Sequence, residues 1–151
     1  MCQKLDNIAR ELSLHDGNEV SIVFGGDFNA GPDHLSVKVM KKGTLDGGEI
    51  ENYKTLSYTG LIKDYLSKYL EPPLNLSSSY FDVMDTEPEV TSAVATFNGC
   101  LDYIFYTIDC LKVSAVVEIG SVVCQKFIHG GPSKEFASDH LPLIAEFLYT
   151  K

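Results

Sequence analysis

The stretch Val20-Ser21-Ile22-Val23-Phe24-Gly25-Gly26-Asp27-Phe28-Asn29-Ala30-Gly31-Pro32 constrains this chain more than any other. A short apolar run rich in β-branched residues meets two glycines. An acid and an amide follow two positions apart, and Gly-Pro then breaks the chain. Such a run favours a strand, and Gly-Gly lets the backbone turn sharply and approach a ligand closely. Being apolar on both faces, Val20–Phe24 is expected in the middle of a sheet. In extended chain just past that strand, Asp27 and Asn29 point to the same side, because side chains alternate with period two. A carboxylate and a carboxamide shown together at a strand end suit a metal-assisted phosphate site. The acid can hold a cation or take a proton from water, and the amide can donate to a phosphoryl oxygen. Asp and Asn are also turn residues, so a capped turn is the plainer alternative.

The rest of the chain limits what such a site could serve. Its 151 residues fit one domain with a buried core, and 44% apolar against 22% charged residues is an ordinary globular balance. No apolar run reaches the ~20 residues of a membrane span, and the first residues lack the apolar core of a signal peptide. Cys2, Cys100, Cys110 and Cys124 form no CxxC, and His15, His34, His129 and His140 show no HExxH spacing. These spacings argue against a zinc ribbon, a redox pair and a zincin. Buried thiols in a reducing, intracellular compartment are expected, the cytoplasm ahead of mitochondrion or nucleus. The net charge of −9 argues against a chain whose main work is gripping a polyanion, since phosphate contacts come from Lys and Arg. It leaves room for an enzyme whose carboxylates hold divalent cations, which restore attraction for phosphate.

Along the chain, Leu5, Ile8, Ala9 and Leu12 have helical spacing, closed by His15-Asp16-Gly17-Asn18. The segment from Asp33 to Met40, followed by Gly43, suggests a short helix, and 43–60 a surface loop. Leu61–Leu70 again has helical spacing, while 71–92 reads as a long polar excursion. Strands are expected at Ala93–Phe97, Leu101–Thr107 and Leu111–Ile119, with a last buried strand in Leu141–Tyr149. The sum is an α/β chain with helices covering one face of a mixed or antiparallel sheet.

Two further stretches carry chemistry. Leu101-Asp102-Tyr103-Ile104-Phe105-Tyr106 puts a carboxylate at the head of an aromatic strand, and Ser138-Asp139-His140 puts an acid and an imidazole just before the last one. Taken singly, each has a plain explanation as a turn cap or a solvated loop pair. Each nevertheless lies beside an expected strand end, where ligands of α/β sheets collect. An Asp accepting from one His nitrogen fixes the tautomer and raises the basicity of the other, which can then stabilise a phosphoryl oxygen.

In their order Gly26-Asp27-Phe28-Asn29, Leu101–Tyr106 and Ser138-Asp139-His140, these motifs resemble the C-terminal half of the endonuclease/exonuclease/phosphatase superfamily. Thr96-Phe97-Asn98-Gly99-Cys100-Leu101-Asp102-Tyr103-Ile104-Phe105 is similar to the F-x-G-x-[LI]-D-Y-I-F pattern of its branch of Ccr4-type deadenylases, nocturnin, Angel proteins and 2′,5′-phosphodiesterases. The resemblance implies half of a four-layer α/β sandwich. It implies metal-dependent phosphodiester hydrolysis, of the 3′-exoribonuclease kind, on RNA with adenylate 3′ ends. Mg2+ would be the cofactor, with Mn2+ as the alternative. Asp27 would position or deprotonate the attacking water and touch a cation, and Asn29 would donate to the phosphate. Asp102 and Asp139 would orient His140 or help hold metal, His140 would polarise the phosphoryl oxygen, and Phe97 would stack on adenine. A core Phe on an edge strand is the competing reading of Phe97.

Departures from the family pattern bear on this. Relatives carry a first half of comparable size with the principal metal-binding Glu, and no such motif precedes Gly26. The Thr-Asn pair that relatives often place shortly before the strand Asp reads Thr91-Ser92 here. The single domain, 1–151, is thus expected to be the C-terminal portion of the family domain. The missing half, or a protein covering an exposed sheet face, would be its partner, and no membrane is involved. The alternatives are an inactive fragment or pseudo-nuclease serving as an interaction domain, a lipid or inositol phosphate phosphodiesterase, and an abasic-site nuclease.

Overall fold

The computed structural model describes residues 2–16, 19–42 and 74–150. In chain order the elements are α1 (Cys2–Asp16), β1 (Val23–Asp27), α2 (Leu35–Lys42), β2 (Leu76–Ser78) and α3 (Ser79–Met84). They continue with β3 (Ser92–Val94), β4 (Phe97–Gly99), β5 (Asp102–Thr107), β6 (Leu111–Val116), α4 (Ser121–Phe127) and β7 (Ala145–Tyr149). Three antiparallel units result: a sheet of order β1-β5-β2, a hairpin β3-β4 and a hairpin β6-β7.

Alternation along β5 sorts the molecule into layers. Tyr103 and Phe105 point to one face and join Leu76, Val37 and Met40 of α2, and Leu5 of α1 in a buried cluster. Phe24 and Phe28 close it, Phe28 meeting the rings of Tyr103 and Phe105 edge-on. Tyr106 points the other way and is buried with Leu111, Val113, Ala145 and Phe147 of the β6-β7 hairpin. Helices therefore cover one face of the sheet and a second sheet approaches the other, as expected of an α/β sandwich portion. Asp102 and Ile104 share the face of Tyr106, away from α1 and α2.

Several expectations need correcting. β1 starts and ends later than expected and runs through both glycines, Gly25 facing Ile104 and Gly26 facing Tyr103. Neither glycine turns the chain, and Gly25 serves close approach: a Cβ there would lie 3.2 Å from the Tyr103 carbonyl oxygen. Among the described residues β1 is an edge strand, and β5, apolar on both faces, holds the centre. The expected strand 93–97 is a hairpin of two short strands turning at Ala95-Thr96. Within the supposed excursion 71–92 lie β2, α3 and the start of β3. Its serines are strand and helix-start residues, Ser78 and Ser79 being fully buried. The last strand is shorter than expected and is not buried throughout, since Glu146, Leu148 and Tyr149 face solvent. α4 answers to no sequence expectation, and the expectations for 43–60 and 61–70 fall outside the described residues.

Candidate active site around His140

The site begins with backbone pairing. Asp27, last residue of β1, sits directly across from Asp102, first residue of β5, so the two side chains share a face. His140 reaches them from the final loop through an isolated antiparallel bridge to Ser92 of β3. Ala93 N–H donates to Asp139 O at 2.9 Å and Leu141 N–H to Thr91 O at 2.7 Å, fixing the register of that bridge. Ser92 and His140 form the non-hydrogen-bonded pair between those two bonds, the geometry that brings side chains closest. The loop is pressed in from behind: a Cβ on Gly131 would overlap the carbonyl oxygen of Ser138.

The imidazole is held by its partners. Nδ1–H donates to Asp102 Oδ2 at 2.8 Å, and Ser92 Oγ lies 3.3 Å from Nε2. The Asp102 carboxylate is mostly buried, 16% exposed, while the His140 side chain is 32% exposed. The Asp102 hydrogen bond lifts the His140 pKa above the ordinary imidazole value. Burial works in the opposite direction, and the negative charges of Asp102, Asp27 and Asp139 add to the rise. Three carboxylates thus act on one imidazole, and the ring retains its proton further into the neutral range than a free histidine.

Asp27 and Asn29 come together differently from the sequence expectation. Asn29 has a left-handed backbone, φ 48°, so the chain past the strand is not extended. A turn returns Asn29 to Asp27, with its N–H donating to Oδ1 at 2.8 Å and its Nδ2 to Oδ2 at 3.1 Å. The capped turn exists, and it presents the pair at the strand end. The second hydrogen of Nδ2 and the remaining lone pairs of the exposed carboxylate are left for other partners. Tyr103 fixes the following loop by donating from its hydroxyl to Ala30 O at 2.8 Å.

Asp27, Asn29, Asp102 and His140 therefore converge, with Asp139 near enough for its charge to act on His140, while Phe97 stands apart. Phe97 is 43% exposed, which removes the core reading, and its ring lies over Gly99. It lines a cavity of about 740 Å3 with Gly31, Pro32, Lys38, Phe81 and Gly99. That cavity includes none of the five polar residues but adjoins two of the three segments that carry them, at Gly31 and at Gly99-Cys100. Sequence reasoning missed two supports. Thr91 Oγ1, fully buried, accepts the N–H of Leu101 at 2.9 Å and of Asp102 at 3.0 Å, and so sets the start of β5. Ser92 holds the far side of His140. The only signal for either was their place ahead of the strand Asp.

A divalent cation can be tested against this donor set. Among the described residues no three Asp, Glu, His or Cys side chains gather as a ligand cage. Mg2+ does not need one: it is commonly held by one or two carboxylates, waters and phosphate oxygens. Asp27, exposed at the strand end, and Asp139, whose charge also reaches His140, fit that manner of binding.

The α/β framework thus carries an Asp-Asn strand end beside an Asp-held histidine, and sequence comparison identifies the family. The chain belongs to the Endonuclease/Exonuclease/phosphatase family, whose model matches residues 3–140. Within it, the chain is 31% identical over 142 residues to the CCR4-Not complex 3′-5′-exoribonuclease subunit Ccr4 of Aspergillus niger, which covers 91% of this chain and 20% of that protein. The chain thus spans about a fifth of such a relative's length. Its fold is similar to the human nocturnin catalytic domain with bound sulfate, with a TM-score of 0.58 and 23% identity over 99% of this chain and 38% of that one. ANGEL2, a 2′,3′-cyclic phosphatase solved with adenosine-2′,3′-vanadate, is similar with a TM-score of 0.58 and 25% identity, covering 93% of this chain and 49% of that one.

Proposed function

We propose that this chain carries the histidine side of a divalent-cation-dependent phosphodiesterase that removes adenylate from the 3′ end of RNA. The observation that carries the reading is the Nδ1–Asp102 bond of 2.8 Å on an imidazole whose proton is also favoured by Asp27 and Asp139. Held this way, His140 would present Nε2–H to a phosphoryl oxygen as negative charge develops there. Asp27 would orient the attacking water and accept its proton, and Asn29 would donate its free amide hydrogen to the scissile phosphate. Asp27 and Asp139 would hold Mg2+ or Mn2+, which when bound supplies positive charge for the phosphate.

RNA as the substrate class is supported by the Ccr4 relatives, named as 3′-5′-exoribonucleases, and adenylate by the adenosine compound in the ANGEL2 structure. Phe97 would stack on the base from the rim of the neighbouring cavity. Because the chain spans a fraction of its relatives, full turnover would require the N-terminal half of the family domain, which would also cover apolar surface such as Val23, 46% exposed on the β1 edge. The burial of Cys100, Cys110 and Cys124 is consistent with a reducing, intracellular compartment. Removal of a 2′,3′-cyclic phosphate is a second reading, favoured by the ANGEL2 similarity.

The test is hydrolysis of an RNA with a 3′-oligoadenylate end in Mg2+, by the chain alone and with a supplied N-terminal half. A matching substrate ending in a 2′,3′-cyclic phosphate runs in parallel. Release of adenylate that disappears in Asp27→Ala and His140→Ala supports the nuclease. Loss of the cyclic phosphate alone would favour the second reading. No turnover on either substrate after complementation would leave only a non-catalytic interaction domain.

A further inference from the structure

We propose that Ser92 is a second positioning residue for His140, which holds Nε2 in place before substrate arrives and yields that nitrogen to a phosphoryl oxygen. This rests on the hydrolytic reading above and adds a residue to it. The Nδ1–H of His140 is committed to Asp102 at 2.8 Å, so Nε2 is the one nitrogen left to meet a substrate. Ser92 Oγ stands 3.3 Å from it. Ser92 is buried, and a buried hydroxyl needs a partner, so hydroxyl and imidazole serve each other.

Ser92 is itself fixed from two sides. It pairs with Gly99 in the β3-β4 hairpin and bridges to His140 on the other edge of β3. Neighbouring Thr91 accepts the N–H groups of Leu101 and Asp102, so two adjacent residues anchor both members of the Asp102–His140 pair. Thr91 sets the carboxylate and Ser92 sets the ring.

The chemistry of a hydroxyl suits the task. It donates to an unprotonated Nε2 and accepts from a protonated one, needing only rotation about its own C–O bond. At 3.3 Å the contact is longer than the usual N···O distance, so it orients without competing strongly with a charged phosphoryl oxygen. Orientation gained before binding lowers the barrier to turnover more than it tightens binding.

The full chain, labelled with 15N, is compared with its Ser92→Ala and Ser92→Thr variants by NMR of the imidazole nitrogens at one fixed pH, His140 being assigned through His140→Gln. The expected result is a displaced Nε2 resonance for His140 in Ser92→Ala, with return toward the wild-type position in Ser92→Thr. The resonances of His34 and His129 should stay where they are. An unchanged His140 Nε2 resonance in Ser92→Ala overturns the proposal. In the hydrolysis assay Ser92→Ala should lower kcat about fivefold, the size of one neutral hydrogen bond, with KM nearly unchanged. Unaltered kcat in Ser92→Ala alongside lost turnover in His140→Ala would also overturn it. A wild-type chain without turnover even when supplied with the N-terminal half counts against the hydrolytic reading, and the ring contact is then decided by the spectrum alone.

Discussion

At the scale of single residues, the site depends on groups that hold other groups. Thr91 accepts two backbone N–H donors while fully buried. Thr91→Val keeps the shape and leaves both donors unpaired, so it should cost about 3 kcal/mol in chemical denaturation, while Thr91→Ser should cost far less. His140 gives a pH signature. Its folded pKa is raised, chiefly by the Asp102 bond, so its contribution to stability is complete below the unfolded value of about 6.5 and is lost as pH rises through the folded value. Urea midpoints measured from about pH 6 upward should fall across that window, and Asp102→Asn should flatten the fall. An identical slope in the variant would show that another group sets it. Asp27, Asn29, Asp102, Asp139 and His140 were legible in the sequence because carboxylate, amide and imidazole chemistry is local to each motif. Thr91 and Ser92 were not, since a hydroxyl that satisfies distant donors has no periodicity to betray it.

Elements were legible where one face had to be apolar. α2 and β6 follow their apolar patterns, because burial on one face leaves its period in the sequence, and β5, buried on both faces, reads as a nearly continuous apolar run. Short pieces did not. β3 and β4, each three residues long, carry too few positions for a period, and the turn between them was invisible without a Gly or Pro signal. The serines of β2 and α3 disguised a buried segment as a loop, since Ser78 is accommodated by donating to Glu87 Oε2 at 2.9 Å. That same Glu87 joins α2 to the segment after α3. Lys41 Nζ is 3.2 Å from its other oxygen and also stands over the Phe81 ring at 3.5 Å. Lys41→Met strands a carboxylate that is only 3% exposed, and should destabilise the chain by about 3 kcal/mol in denaturation. Adding Glu87→Gln should recover part of the loss, because the buried charge is then gone.

For the whole molecule, what the chain does follows from three segments far apart in sequence meeting at one end of a small sheet. The antiparallel pairing of β1 with β5 brings Asp27 to Asp102, and the bridge to β3 delivers His140. The family motifs specified the participants, but only the register of the pairing specifies that they face one another. The acidic balance, −9 overall, becomes intelligible on the same terms, since a cation bound among these carboxylates would reverse the local sign for a phosphate. The most direct measurement is the 1H–15N spectrum of the chain during addition of Mn2+, whose unpaired electrons broaden nearby resonances. The account predicts that amides of 27–29, Asp102 and 139–141 broaden first, and that Asp27→Asn abolishes the effect. Broadening centred elsewhere on the acidic surface, or unaffected by Asp27→Asn, would contradict it.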